Sequence, residues 1–213
     1  MSRWREEEAL RLGPDVVQRL IPHRRPLLMV DGVDAFRRAP APTLWARRHI
    51  SANEEVFAGH FPGFSIWPGI YTIEGLGQTS LVLTVLLHLI GAAEAQGKSA
   101  AEVLDALRQL EQRRSLRPGA PRASRTSGAS GASGAGGSPA FQLDDLAGPE
   151  PPAGLSGQID MKLLAPVFAG QELRYRVSLT HTLDSFARFE VEAEVAGTAV
   201  ARGHMTGLIL KSP

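Results

Sequence analysis

Residues 70–93 (IYTIEGLGQTSLVLTVLLHLIGAA) form the most apolar stretch of the chain. A helix that is apolar around most of its circumference has to be buried, either in lipid or inside the protein itself. About 20 uninterrupted apolar residues suffice to cross a bilayer. Here Glu74, Gly75, Gly77 and Gln78 interrupt the first part and His88 the last, so the run is too short to cross. The stretch therefore predicts a long helix around which the rest of the chain must wrap.

The remainder has the material to do so. Of 213 residues, 43% are hydrophobic and 21% charged, the balance of a soluble globular protein. A net charge of +1 gives no global attraction to nucleic acid or anionic lipid. With no cysteine, disulfides, thiolate metal sites and thiol nucleophiles are all excluded. Catalytic groups must come from His, Asp, Glu, Ser or Lys. The N-terminus MSRWREEEALRLG mixes charge with apolar residues and does not read as a secretory signal, so the expected location is cytoplasmic.

A composition break follows the helix. Residues 127–138 contain only Gly, Ala and Ser, and their flanks are rich in Pro, Gly and charge. Such a segment buries too little apolar surface to offset its ordering entropy. Residues 115–156 are thus read as a flexible insertion within one domain spanning 1–213.

Before the insertion, residues 14–20 suggest a short helix, 27–33 and 43–50 suggest strands, and 99–112 suggest a second helix. After it, the apolar period changes to two over 158–164, 172–182, 185–195 and 199–210, separated by turn residues. The order predicts an α+β fold, an antiparallel sheet wrapped around a long central helix.

The densest cluster of unusual residues is Gly59-His60-Phe61-Pro62-Gly63-Phe64-Ser65-Ile66-Trp67-Pro68-Gly69, which runs into the helix bearing Glu74 and Gln78. His60, in a loop shaped by Gly and Pro, can exchange protons near neutral pH. Glu74 occupies an apolar surface, where desolvation favours the protonated form that a general acid requires. Gln78, four residues on, shares a helical face with Ile70 and Glu74 and is placed to orient the carboxyl group. At Gly69 and Ile70 the first helical amides lack intrahelical acceptors and suit an oxyanion. Taken singly, each residue also has an ordinary reading: a histidine that holds its loop, or a glutamate paired with an arginine or facing water.

Three motifs give these residues a context. Ile21-Pro22-His23-Arg24-Arg25-Pro26-Leu27-Leu28-Met29-Val30-Asp31 resembles L-P-H-R-Y-P-F-L-L-V-D, the opening signature of the FabZ/FabA-type 3-hydroxyacyl-[acyl-carrier-protein] dehydratases. Asn53-Glu54-Glu55-Val56-Phe57-Ala58 followed by Gly59-His60-Phe61-Pro62-Gly63 resembles N-E-x-x-F-x-G-H-F-P-G, and the segment from Trp67 to Gln78 resembles M-P-G-V-L-x-x-E-A-x-A-Q. Residues 162–173 are similar to K-F-R-x-P-V-x-P-G-D-x-L.

The resemblance implies a hotdog fold and a homo-oligomer, either a dimer or a dimer-based hexamer, in which His60 of one subunit faces Glu74 of the other. It also implies loss of water from a (3R)-3-hydroxyacyl chain on acyl carrier protein, giving the trans-2-enoyl product without metal or other cofactor. His60 and Glu74 would be catalytic. Gly69, Ile70, Gln78, Trp67 and Phe61 would bind the substrate or its oxyanion.

Ser65 replaces a usual Pro and is expected to loosen the loop, while Trp67 replaces a Met and is expected to reshape the acyl pocket. Arg25 and Gly32 also depart from the pattern. Arg24, Arg25, Arg47, Arg48, Lys162, Arg188 and Arg202 are candidates for docking the acidic carrier protein. His23, His49, His88, His181 and His204 are read as structural or exposed. Two other readings stay open, a hotdog acyl thioesterase and a non-catalytic acyl-binding or partner subunit.

Overall fold

The computed structural model describes Arg5 and residues 8–115 and 154–209. Its elements run β1 (Ala9–Leu12), α1 (Pro14–Leu20), β2 (Gly32–Arg37), β3 (Thr43–His49), a 3-10 turn (Glu55–Ala58), α2 (Gly69–Ala95) and α3 (Ala100–Ser115), then β4 (Gly154–Leu163), β5 (Glu172–Leu183), β6 (Phe186–Val195) and β7 (Thr198–Ile209). The strands form one seven-stranded sheet in the order β1-β2-β3-β5-β6-β7-β4, with every neighbouring pair antiparallel. The sheet wraps α2 in the hotdog arrangement.

Alternation along each strand supplies the wrapping face. Leu173, Tyr175 and Val177 of β5 and Ala187, Phe189 and Val191 of β6 are buried, while residues between them on β6 are exposed. From the helix, Leu76, Leu83, Leu86, Leu89 and Ile90 enter the same core. In α2, 67% of the most apolar window is buried within the protein, so this helix is the core. One contact sets its distance from the sheet. A Cβ on Gly75 would lie 2.3 Å from the Tyr175 hydroxyl, so only glycine lets the helix approach this ring.

Two segments differ from the sequence expectation. Of residues 27–33, only those from Gly32 onward pair as a strand. The run before them is held instead by Gln78 of α2, which accepts the Met29 N–H at 2.8 Å, and by Arg47, whose carbonyl accepts the Asp31 N–H at 2.9 Å. Strand β1 was not expected. It is short, and α3 completes it: Arg108 donates to the Ala9 carbonyl at 2.9 Å and Glu111 accepts the Gly13 N–H at 2.8 Å.

The expected insertion falls mostly outside the described residues. Its two margins are regular structure, Ser115 in α3 and residues 154–156 in β4.

Candidate active site

The loop that carries His60 is fixed at both ends by backbone hydrogen bonds. The Val56 carbonyl, in the 3-10 turn, accepts the N–H groups of Gly59 (3.1 Å) and His60 (2.9 Å). Phe61 and Phe64 exchange a reciprocal pair at 3.0 and 2.9 Å. Beyond the tip, Trp67 N–H donates to Val167 O at 2.8 Å and Ala169 N–H to Ser65 O at 3.3 Å, stitching the loop to the β4–β5 connection. Ser65 therefore sits in a segment tethered through its own carbonyl.

This frame sets the tautomer of a neutral His60 ring. Its Nδ1 lies 2.9 Å from the Ile66 carbonyl, and a carbonyl can only accept, so Nδ1 carries the hydrogen. The lone pair of the neutral ring is then on Nε2, the arrangement a general base needs. Phe61 stacks on the imidazole with ring centroids 4.3 Å apart, and is itself half exposed. It backs the base and does not line the cavity beside it.

That cavity, about 360 Å³, is bounded by His60, Trp67, Gly69, Thr72, Leu163 and Val200. Gly69 is the first residue of α2, after Pro68, and no side chain caps this end. The first backbone amide there with a backbone acceptor is Tyr71, bonded to Pro68 O at 3.0 Å. A base and an unclaimed helix-terminal amide thus share one apolar chamber. Leu163 packs so closely on Gly69 that a Cβ would lie 2.3 Å from its Cδ1. Trp67 is buried in the wall, edge-on to Phe57 (6.2 Å) and Tyr71 (5.2 Å).

Glu74 lines a different cavity of about 230 Å³ with His23, Gln78, Thr84, Phe189 and Met205. Gln78 is buried and fully engaged. Besides accepting from Met29 it donates to Leu27 O at 2.6 Å and to Glu74 Oε1 at 2.8 Å. His23 Nε2 approaches the same carboxyl oxygen at 3.5 Å. Both neighbours converge on Oε1. The glutamine thus donates to the carboxyl group four residues before it on the same helical face. The desolvation expected of Glu74 is absent within one chain, where its side chain is 42% exposed. Ile70, 69% exposed, lines neither cavity.

Sequence reasoning set aside His23, although its place in the opening motif was visible. Arg48, nominated for a basic docking rim, is corrected: it is 4% exposed and ion-paired to Asp31 (2.7 Å) and Glu54. Arg47 is likewise paired, with Asp34. Burial still pushes the Asp34 carboxyl above its ordinary value, and Arg47 opposes that shift. Lys162 and Arg202 face each other across the β4–β7 pair.

Comparison with known proteins places these motifs. Residues 21–122 match the FabA-like domain family. The chain is 38% identical over 84 residues to the 3-hydroxyacyl-[acyl-carrier-protein] dehydratase FabZ of Ligilactobacillus salivarius, covering 39% of this chain and 55% of that protein. It is 43% identical over 70 residues to the FabZ of Neisseria meningitidis, covering 33% and 46%. The chain spans about half the length of the curated relatives it matches. Among solved structures, it is similar to a chain of the dehydratase heterocomplex ApeI:P from Xenorhabdus doucetiae, with a TM-score of 0.51 and 16% identity over 92% of this chain and 91% of that one. At that identity the likeness establishes the fold.

Proposed function

We propose that this chain, which carries a FabA-like domain over residues 21–122, is a hydro-lyase that dehydrates 3-hydroxyacyl thioesters on acyl carrier protein, with its catalytic groups shared between two copies. The observation that carries this reading is the division of labour between the two cavities. One holds a base with its lone pair on Nε2 beside an unclaimed helix amide, and the other holds a carboxyl group clamped through a single oxygen.

The chemistry follows from these positions. The thioester oxygen accepts the Gly69 N–H, which stabilises enolate charge as it develops. His60 Nε2 removes a proton from C2 and becomes imidazolium. The electron pair left on C2 forms the C2–C3 double bond as the C3–O bond breaks, and Glu74 Oε2 gives its proton to the departing hydroxyl, releasing water. A proton then passes from His60 to Glu74 through that water, restoring both groups. In the proposed stereochemistry a (3R)-hydroxyacyl chain gives the trans-2-enoyl product, within fatty-acid or related acyl-chain synthesis in the cytoplasm.

The base and acid of one chain line separate chambers, so the reaction needs a second copy. Strand β4 supplies the means to recruit it. It lies at the end of the sheet order, paired among the described residues only with β7, and Ile159, Leu163 and Leu164 are exposed on or beside it. Two copies joined along this edge would bury those side chains and remove water from Glu74, keeping the carboxyl group protonated.

Complementation tests the proposal. His60→Ala and Glu74→Gln each lower turnover of a 3-hydroxyacyl carrier-protein substrate by roughly 10²–10⁴-fold. Mixing the two variants after unfolding and refolding restores about a quarter of wild-type activity, because random pairing makes half the dimers mixed, each with one intact site. Mixtures that stay inactive while forming mixed dimers overturn the shared site. A wild-type protein that releases free acid instead of the enoyl product favours a thioesterase.

A further inference from the structure

Strand β3 turns Leu44, Ala46 and Arg48 toward the core, at 0%, 1% and 4% exposure. An arginine in such a row is an expense in stability, since a buried ion cluster rarely outperforms apolar side chains of the same volume. We propose that Arg48 is a positioning residue for the His60 base, a role that rests on the dehydratase reading above.

The guanidinium touches the three segments that frame the loop. Through Nη1 it donates to Asp31 Oδ1 at 2.7 Å, and the other oxygen of Asp31 accepts the His49 N–H at 2.8 Å. Through Nη2 it donates to Glu54. The Glu54 carbonyl accepts the Phe57 N–H at 3.1 Å, opening the 3-10 turn whose Val56 carbonyl holds His60. Its planar face lies over the Trp67 ring, 5.7 Å from the centroid. Trp67 in turn abuts Phe57 ahead of the loop and Tyr71 in the first turn of α2. One rigid planar fork therefore fixes the stretch before β2, the turn before the loop and the residue after it. Lysine, a point charge on a flexible stem, cannot replace those fixed directions. Small displacements matter here, because about 1 Å of misplacement far from the chemistry can cost about 10²-fold in rate.

The test uses Arg48→Lys and a triple variant, Arg48→Met with Asp31→Asn and Glu54→Gln, which leaves no unpaired charge. Each is measured in the full-length protein for melting temperature, oligomeric state, kcat and KM, and by ¹⁵N NMR of the His60 ring. The triple variant is expected to melt near wild type and lose about 100-fold in kcat with KM within twofold. The single Nδ1–H tautomer expected of the wild type should give way to a mixture of tautomers in this variant. Arg48→Lys is expected to fall between the triple variant and wild type in both readouts. The proposal is overturned if the triple variant keeps its wild-type ring spectrum, or if Arg48→Lys matches wild type in kcat and spectrum. The spectrum reports on positioning even if the wild-type protein proves not to be a dehydratase, so the two claims fail separately.

Discussion

The two edges of the sheet are finished in opposite ways. At β1 the chain closes its own margin: Leu10 and Leu12 are buried, α1 and α3 pack there, and Val103 and Leu107 of α3 lie within the core. At β4, a strand of ten residues, almost every described side chain is exposed, and its outer edge has no strand partner among the described residues. A free edge that long, flanked by exposed leucine and isoleucine, would invite aggregation if nothing covered it. The site residues are bordered by this open margin, with Leu163 against Gly69 and Ser156 near Glu74 in its cavity. In the proposed dehydratase, one margin serves stability and the other assembly and catalysis.

The largest expected effect breaks the contrast at β4. Ile159→Glu should yield monomers in sedimentation and lower turnover by about 10²–10⁴-fold, because acid and base no longer meet. Dimers with normal turnover would show that another surface makes the contact. At the opposite margin, Leu107→Ala should cost about 2–5 kcal/mol of stability in denaturant melts while the surviving folded protein remains dimeric and active.

Smaller changes sharpen the second half of the comparison. Ser99 caps α3, with its hydroxyl accepting the Glu102 N–H at 3.3 Å and its own N–H donating to Glu102 at 2.7 Å. Ser99→Ala should therefore lose about 1 kcal/mol with kcat unchanged. The smallest effect concerns pH. The backbone and hydroxyl donors of Ser99 hold Glu102 below its ordinary value of 4.5. A lowered value in the fold means that its contribution is present above the unfolded value and is lost as pH falls through the folded one. The melting-temperature gap between wild type and Glu102→Gln should accordingly narrow below about pH 4.5; a gap that widens on acidification would contradict the assignment.

Much of this was legible in the sequence because the relevant signals are local. The apolar run of α2 and the two-residue period of β5, β6 and β7 follow from burial on one axis or one face. Ile70, Glu74 and Gln78 are related by helical spacing, so their relationship was visible before any coordinates. The segment 27–30 misled because Leu28, Met29 and Val30 are all buried in succession, and their hold on the fold comes through Gln78, far along the chain. The same distance hid the contact between His23 and Glu74. Arg48 was different: its parity with Leu44 and Ala46 already placed it on the inner face of β3, and charge alone suggested the surface. Which cavity His60 and Glu74 each line had no local signal, since it depends on how the sheet curls around the helix.

The meeting of Gly75 with Tyr175 does more than bring a helix near a sheet. With the phenol seated in that notch, α2 has a detent: to slide or roll it would have to drag a neighbouring side chain over the ring. The amide at Gly69 lies only about 9 Å upstream along the axis, so its place in the chamber beside His60 is indexed from β5.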